Sequence, residues 1–246
     1  MSATLRLDRL LANMGYGSRR DVQALVRAGE VTLDGAPVAD ADMRLPVSPA
    51  LAGRMRVSGA PLDPPPGLAL MLHKPLGVTC SHKEAGPLVY DLLPSRWRAR
   101  DPAISTVGRL DKETSGLLLL TDDGALLHRI ISPRAHVAKR YVATLARPLS
   151  GGEAERFASG ELRLEGEAKP LAPAMLEPLT STLVRLTVTE GRYHQVRRMF
   201  AAVGNHVEAL HRDRIGGLAL PDGLPPGAWR LLAEPEVAAV FAPTSA

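Results

Sequence analysis

The chain has a single cysteine, Cys80, among its 246 residues. One cysteine excludes a disulfide within the chain and makes a zinc site built from cysteines implausible. The sequence also lacks an apolar run of membrane-spanning length, and its N-terminus has no hydrophobic signal-peptide core. It has no internal repeats, and low-complexity sequence is confined to one proline-rich stretch. We therefore expect a cytoplasmic protein.

Length and composition indicate a globular protein with more than one domain. A chain of 246 residues is long for one domain and suits a small domain plus a larger one. The hydrophobic content of 45% is ordinary for a protein with a sizeable core. The net charge of +4 and the pI of about 9.5 are compatible with a polyanionic partner, although many other proteins share them.

Residues 1–58 predict a small unit of two helices and a hairpin. Apolar residues at helical spacing predict the first helix over residues 7–14. Ser18 and Asp21 form a capping-box pattern that begins the second helix. Asp34-Gly35, between two short apolar runs, predicts a tight hairpin turn.

The rest of the chain predicts a linker, a strand-rich domain and a frayed end. Three consecutive prolines within residues 59–67 favour extended geometry, so we expect a semi-rigid linker there. Residues 68–233 read mainly as strands, interrupted by a helix whose apolar face includes Val196 and Phe200. We expect residues 234–246 to be frayed.

Residues 108–124 contain the most specific pattern. Asp111 follows Arg109 and precedes a Thr-Ser-Gly corner that leads into the apolar run 117–120, which is short enough to be a buried strand. Asp122 then marks the entry to a new helix. A carboxylate and an arginine on such a turn are placed where loops carry chemistry, although on their own they are more often a surface ion pair.

This stretch closely resembles the aspartate motif of pseudouridine synthases, which isomerise uridine in RNA to its C-glycoside. Residues 73–81 resemble the first motif of that family, which commonly has Asn where this chain has His73. The helix–helix–hairpin start resembles the S4 RNA-binding domain. The segments 193–196 (Tyr-His-Gln-Val) and 204–207 (Gly-Asn-His-Val) are most similar to the ribosomal small-subunit pseudouridine synthase A branch.

The resemblance implies the catalytic groups. It places the catalytic aspartate at Asp111, the active-site tyrosine at Tyr141, and a cation opposite the aspartate at Arg197. A carboxylate can serve as nucleophile or base, so no metal or organic cofactor is needed. A buried carboxylate would take up a proton unless a cation offset its desolvation, which is the role implied for Arg197. From the residues alone, Arg197 fits a helix surface and Tyr141 fits ordinary strand packing equally well.

We also expect a set of RNA contacts. The resemblance assigns Arg109 to the gap left by a flipped base. The arginines of the N-terminal unit could bind phosphate or could simply pair with Asp8 and Asp21 on a solvated face. Histidines in basic stretches, without acids at ligand spacing, make a metal site improbable. The expected RNA-binding residues are Arg109, Arg9, Arg19, Arg20, Lys139, Arg140, Arg192, Arg198, Arg212 and Arg214.

These observations predict an α+β protein in which an S4-like domain precedes a mainly antiparallel catalytic domain. The expected activity is isomerisation of a specific uridine in small-subunit (16S) rRNA during ribosome assembly, by a monomer. One alternative is a sibling enzyme that acts on 23S rRNA or tRNA. An alternative of another class is a non-catalytic S4-type RNA-binding assembly factor, and a metal-dependent hydrolase is a remote third.

Overall fold

The computed structural model describes residues 4–243, which form two compact units. The first unit comprises residues 4–69, 93–105 and 120–124, and the second comprises residues 70–92, 106–119 and 125–243. Within the described chain, none of the helices combines the length and the hydropathy that crossing a membrane would require.

The first unit contains the two predicted helices and the predicted hairpin. The helices are α1 (Leu7–Asn13), α2 (Arg19–Arg27) and α3 (Leu51–Arg54). The strands are β1 (Thr4–Arg6), β2 (Val31–Leu33), β3 (Ala36–Pro37), β4 (Arg44–Pro46), β5 (Met55–Val57) and β6 (Ala60–Pro61). β1 pairs with β4, and the other four form a sheet in the order β3-β2-β5-β6.

Local sequence signals explain these elements. The capping box at the start of α2 is confirmed, because the Ser18 hydroxyl accepts from the Asp21 amide while the Asp21 carboxylate accepts from the Ser18 amide. The hairpin is confirmed as well, and both Asp34 and Gly35 adopt positive φ, as the turn requires. The apolar faces of α1 and α2 bury a continuous core that includes Leu10 and Val22.

The stretch predicted as a linker begins inside this unit. Ala60–Pro61 is an edge strand paired with β5, and Leu62 is buried in the core. The backbone amide of Asp63 donates to the Tyr16 hydroxyl at 2.9 Å. The sheet and core of the first unit therefore extend past the predicted boundary at residue 58. Proline is tolerated there because an edge strand does not need its N–H.

Two later segments complete the first unit through a buried ion pair. Arg100 Nη2 lies 3.0 Å from Asp122 Oδ2, and both side chains are about 1% exposed. Arg100 also donates to the Pro64 carbonyl, and the Gly67 amide donates to Asp122. Asp122 thus binds residues that are distant in sequence. It also precedes the helix that begins at Gly124, as the sequence predicted.

The second unit is built on a nine-stranded sheet. Its main path runs β11-β12-β10-β13-β9-β7-β15, with β14 beside β13 and β8 beside β9. β10 is antiparallel to both β12 and β13, whereas β9 runs parallel to β13. The strands are β7 (Ala69–Lys74), β8 (Ser105–Thr106), β9 (Ser115–Thr121), β10 (Lys139–Leu145), β11 (Met175–Pro178), β12 (Leu183–Val188), β13 (Val207–Ile215), β14 (Leu218–Ala219) and β15 (Trp229–Leu231).

The helices of this unit cover the sheet. They are α4 (Gly124–Ile131), α5 (Glu153–Ala158), α6 (Gln195–Ala202) and α7 (Glu234–Ala239), with short 3-10 turns at Val89–Leu92 and Pro133–Ala135 and, in the first unit, at Ser95–Ala99. The predicted α6 stripe is confirmed, because Val196, Met199 and Phe200 are buried against β10 and β12 core residues. The predicted buried strand at residues 117–120 is confirmed as the interior of β9.

The C-terminal segment predicted to fray from residue 234 is ordered as α7. Val240 is 1% exposed, and the Gly217 amide donates to the Ala239 carbonyl at 2.8 Å. A Cβ on Gly216 would lie 1.9 Å from the Val240 carbonyl oxygen, so the chain end packs directly on this turn. The expectation was wrong for residues 234–243, because long-range packing orders a short helix that local sequence would not. Residues 244–246 lie outside the described residues.

We predict that Asp8 stabilises the first unit through its charge. Asp8 is fully buried and accepts hydrogen bonds from Arg6, Arg19 and Gln23. Burial alone would raise the pKa of Asp8, but the bonds from Arg6 and Arg19 outweigh it and hold the pKa well below its usual range. Asp8→Asn should lower the free energy of unfolding by about 1–3 kcal/mol at pH 7, measured by urea denaturation.

The direction of the pKa shift of Asp8 determines how its contribution to stability changes with pH. Because the folded pKa is depressed, this stabilisation is complete above the ordinary carboxyl pKa of about 4 and is lost as pH falls below it. The difference between Asp8→Asn and wild type should therefore shrink in acid. Asp34→Asn is the matched control, since its pair with Arg54 is exposed and should matter little. A difference that persists unchanged into acid would contradict the charge-based explanation.

Candidate active site

Asp111 lies on the loop that leads into β9. The Thr114 amide donates to the Asp111 carbonyl at 3.0 Å, which closes a tight turn. Gly116 then pairs in parallel with Arg212 of β13, and a Cβ on Gly116 would lie 2.2 Å from the Arg212 carbonyl oxygen. Only glycine allows the two backbones to approach so closely, and its φ of +111° is open to few other residues. The Thr-Ser-Gly corner thus anchors the aspartate loop to β13.

Buried donors hold the carbonyl oxygens of the same loop. The Lys74 side chain is fully buried, and its Nζ donates to the carbonyls of Thr114 at 2.9 Å and Pro75 at 3.0 Å. Burial lowers the pKa of Lys74. The Gly77 amide donates to the Lys112 carbonyl at 3.0 Å. The first sequence motif therefore acts on the aspartate loop through its backbone.

Arg197 braces this loop from the opposite side. Its Nη2 donates to the Glu113 carbonyl at 2.8 Å and its Nη1 donates to the Val207 carbonyl at 2.7 Å. The resemblance implied a cation paired with Asp111, but in residues 4–243 no ion pair within 4 Å joins Arg197 to Asp111. The guanidinium donates to main-chain carbonyls instead, so it fixes the position of the loop that carries Asp111.

The Asp111 carboxylate is more exposed than expected. Its side chain is 38% exposed, so this carboxylate is not the buried group that the resemblance implied. Nε2 of His194 lies 3.4 Å from Asp111 Oδ1. His194 holds a left-handed backbone (φ 48°) as the residue that precedes α6. The sequence does not predict this neighbour, because nothing in the local pattern distinguishes His194 from a surface histidine.

Tyr141 lies on β10 above a buried arginine. Arg212 is 2% exposed, and its Nε donates to the Leu117 carbonyl at 2.8 Å. Its Nη1 donates to the Tyr141 hydroxyl oxygen at 3.4 Å. We expected Arg212 on an RNA-binding rim, but the pairing of β13 with β10 and β9 places it beneath the tyrosine.

Lys139 lies on β10 two residues before Tyr141, so both side chains occupy the same face. Its Nζ donates to the Val137 carbonyl at 2.9 Å. Burial lowers the pKa of Lys139 to about 8, and the charge of Arg212 adds to the effect. Lys139 was expected to contact RNA at the surface, but its side chain is half-buried beside Tyr141.

These groups surround one cleft of about 630 Å³ in the second unit. Asp111, Tyr141 and Arg197 all line it, so the structure brings the three predicted catalytic residues together. Arg109, Lys139, Arg192 and Arg212 line it as well.

Several expected RNA contacts are engaged in ion pairs. Arg140 pairs with Asp213 at 2.8 Å, and Arg198 pairs with Glu167 at 3.0 Å. Arg192 pairs with the same glutamate at 3.3 Å. These acids are distant in sequence, so their pairing could not be foreseen.

The remaining expected contacts differ in exposure. Arg109 is 70% exposed and only loosely paired, with Glu84 at 3.7 Å, whereas Arg214 is half-buried on β13. In the first unit, Arg9, Arg19 and Arg20 are exposed, although Arg19 also pairs with Asp8.

Two histidines near the cleft have structural partners. His211 Nδ1 lies 2.9 Å from the Ser115 hydroxyl, and His73 Nδ1 lies 2.7 Å from the Leu224 carbonyl. Burial lowers the pKa of His211, and the neighbouring His73 adds to this. In the described part of the chain, no group of three or more His, Cys, Asp and Glu side chains is arranged to hold a metal ion.

Comparison with known proteins agrees with this geometry. The family model described as RNA pseudouridylate synthase matches residues 69–202, and the S4 domain model matches residues 5–48. The chain belongs to the RNA pseudouridylate synthase family. Its members are isomerases, and the predicted fold class, S4-type domain and enzyme class are confirmed.

Individual relatives match over nearly their full length. The chain is 44% identical over 240 residues to "Ribosomal small subunit pseudouridine synthase A" of Escherichia coli (strain K12), which covers 96% of this chain and 100% of that protein. The protein of the same name from Vibrio cholerae is 39% identical, with 96% and 100% covered. The crystal structure of a pseudouridylate synthase is 36% identical in sequence, with a TM-score of 0.67, and the match covers 96% of this chain and 99% of that chain.

We predict that Arg197 is required for the rate of isomerisation. Arg197→Met removes both carbonyl contacts and frees the Asp111 loop, so kcat should fall by about a hundredfold, the cost expected for a misplacement of about 1 Å. Arg197→Lys keeps one cationic donor group, so its kcat should lie between those of wild type and Arg197→Met. Release of tritium from 5-tritiated uridine in rRNA measures kcat and KM. The control Arg156→Met changes an exposed arginine on α5; a wild-type kcat for Arg197→Met would show that the brace is dispensable.

Proposed function

We propose that this pseudouridine synthase isomerises a specific uridine of small-subunit rRNA during ribosome assembly. The observation that carries the proposal is the convergence of Asp111, Tyr141 and the Arg197-braced loop in one cleft. The full-length similarity to enzymes named for the small ribosomal subunit supports the substrate class.

The reaction needs only groups that the cleft provides. The C1′–N1 bond breaks, the base turns, C5 bonds to C1′, the proton leaves C5 and N1 gains a proton. Atoms and electrons balance within the nucleotide and water, so no redox cofactor enters. Asp111, partly exposed in the cleft, serves as nucleophile or as base.

In this proposal Tyr141 takes the C5 proton. Its oxygen must be a phenolate to do so, and the buried Arg212, which donates to this oxygen, supplies a cationic donor that stabilises the phenolate before the proton arrives. The low exposure of Arg212 strengthens the interaction, because water does not screen it. The ring of Tyr141 can contact the flipped base at the same time.

The rest of the protein presents the uridine. A base inside folded RNA is shielded and must leave its stack before its C1′ can react. Arg109, exposed at the cleft, is suited to occupy the vacated space. In the S4-type unit, exposed Arg9, Arg19 and Arg20 provide phosphate contacts that add affinity without choosing the sequence.

Two further points belong to the proposal. Asp111, Tyr141 and Arg197 meet in a cleft of the second unit, so the site needs no residue from a second copy, and the proposal includes action as a monomer. An enzyme for rRNA must meet its substrate where ribosomes assemble, which supports a cytoplasmic location.

We predict that Asp111→Asn abolishes isomerisation while RNA binding persists. A neutral amide is neither a nucleophile nor a base of useful strength, yet it has the same shape. Tritium release should be undetectable, and the affinity for rRNA should stay near that of wild type. Asp222→Asn is the matched control, because Asp222 is exposed and lies outside the cleft. Normal release by Asp111→Asn would remove this carboxylate from the mechanism.

We predict that the best substrate is a small-subunit assembly intermediate. Small-subunit rRNA bound by a subset of its proteins offers a structured grip for the S4-type unit and an accessible nucleotide for the cleft. Purified enzyme should modify it faster than naked rRNA or finished subunits, as mapped by carbodiimide and primer extension. Modification of 23S rRNA or tRNA instead would assign the chain to a sibling activity, and binding without any modification would indicate an assembly factor.

A further inference from the structure

Two aromatic rings are stacked at the cleft beside Asp111. The rings of Tyr193 and His194 lie nearly parallel, with centroids 3.9 Å apart and an interplanar angle of 14°. Both residues line the cleft. Tyr193 is 75% exposed, the highest value among the exposed large hydrophobic side chains of residues 4–243. His194 connects this pair to the catalytic group, because its Nε2 lies 3.4 Å from Asp111 Oδ1.

The exposure of Tyr193 does not come from a loose loop. The side chain of Gln195 is 5% exposed; its Oε1 accepts from the Arg192 amide at 2.9 Å, and its Nε2 donates to Glu190 at 3.1 Å. Arg198 Nη1 donates to the Tyr193 carbonyl at 3.2 Å. Two part-buried hydrogen bonds of Gln195 and an exposed one from Arg198 therefore hold the segment that carries the stack.

Arg198 is itself held in place. The same Nη1 lies 3.0 Å from Glu167 Oε1, and Arg192 pairs with the other oxygen of Glu167. These arginines, which we expected to contact RNA, instead support the segment that displays the aromatic pair. A left-handed backbone at His194, costly for a residue other than glycine, turns the chain at this point.

We propose that the Tyr193–His194 stack is a platform for one unpaired base of the RNA substrate, next to the target uridine. An exposed aromatic ring fixed in place at a cleft is the group on which unstacked RNA bases settle. Because such a platform meets the face of a base, it accepts any of the four bases. This inference rests on the proposed function, since it assigns a subsite of the same cleft.

The geometry makes the occupant a neighbour of the target and not the target itself. One face of the Tyr193 ring is covered by His194, so the base stacks on the other face. That base is then held on the Tyr193 side of the stack, whereas Asp111 lies beside the other ring, with His194 Nε2 at 3.4 Å from Asp111 Oδ1. The target uridine reaches Asp111 and Tyr141 inside the cleft, while the adjacent base is held outside it. Holding the neighbour unstacked also keeps the target from returning to the helix.

The first test is direct binding to single-stranded RNA. The full-length protein is titrated into a fluorescein-labelled oligouridylate, and anisotropy is followed over a series of salt concentrations. Tyr193→Ala should weaken binding by about tenfold, as expected for one lost base–aromatic stack. Tyr193→Phe keeps the ring and should restore the affinity. The salt dependence of binding should be the same in all variants, because stacking releases no counterions.

The second test is catalysis. With small-subunit rRNA containing 5-tritiated uridine, Tyr193→Ala should raise KM by about tenfold and change kcat far less. Met175→Ala is the control, since it truncates another exposed apolar side chain of the second unit that lies outside the cleft. If Tyr193 had only a structural role, Tyr193→Ala would instead reduce kcat and stability together.

The outcomes separate the platform from the proposed function. Wild-type affinity and KM for Tyr193→Ala would overturn the platform, as would a flattened salt dependence or failure of Tyr193→Phe to bind. Absence of tritium release from small-subunit rRNA by the wild-type enzyme would overturn the proposed substrate, while the oligouridylate titration would still decide whether the ring stacks on a base.

Discussion

The parallel contact between β9 and β13 is the constraint on which the site depends. Gly116 and Arg212 are paired there so closely that no side chain fits on the glycine. The contact sets the position of the loop that carries Asp111, since this loop leads into β9 one residue before Gly116. It also directs the Arg212 side chain under Tyr141, because the same stretch of β13 pairs with β10 on its other edge. One backbone approach therefore sets the relative positions of the carboxylate and the phenol.

The electrostatics of the cleft depend on backbone dipoles as much as on side-chain pairs. Lys74 and Arg197 each donate to carbonyls of the aspartate loop, and Arg212 donates to a carbonyl of β9. Buried cations are costly unless hydrogen bonds compensate them, and main-chain carbonyls meet that need without neutralising the nearby carboxylate. Asp111 thus keeps a partly exposed carboxylate, while the cations nearby are bonded to main-chain carbonyls. In the proposed function, this arrangement leaves the carboxylate available for reaction.

The elements that sequence predicted well are those whose causes are local. The α2 capping box involves residues three apart, and the Asp34-Gly35 turn depends on two adjacent residues. Buried strands and the α6 stripe follow from periodicity alone. The errors arose where distant residues meet: the Arg100–Asp122 pair that adds two segments to the first unit, and the packing of Val240 that orders the C-terminal helix. Local propensity has no information about either contact.

The sequence by itself determined the family motifs and the local elements, and it predicted Asp111, Tyr141 and Arg197 as a catalytic set. Only the tertiary structure decided what each cation does. Arg197 braces a loop, Arg212 supports a phenol, and Arg140 and Arg198 are paired with acids 73 and 31 residues away. It also placed His194 beside Asp111, with 3.4 Å between Nε2 and Oδ1. The physical reason is that the energy of a charge depends on its burial and on its neighbours within a few ångströms, and strand pairing over long separations in sequence selects those neighbours.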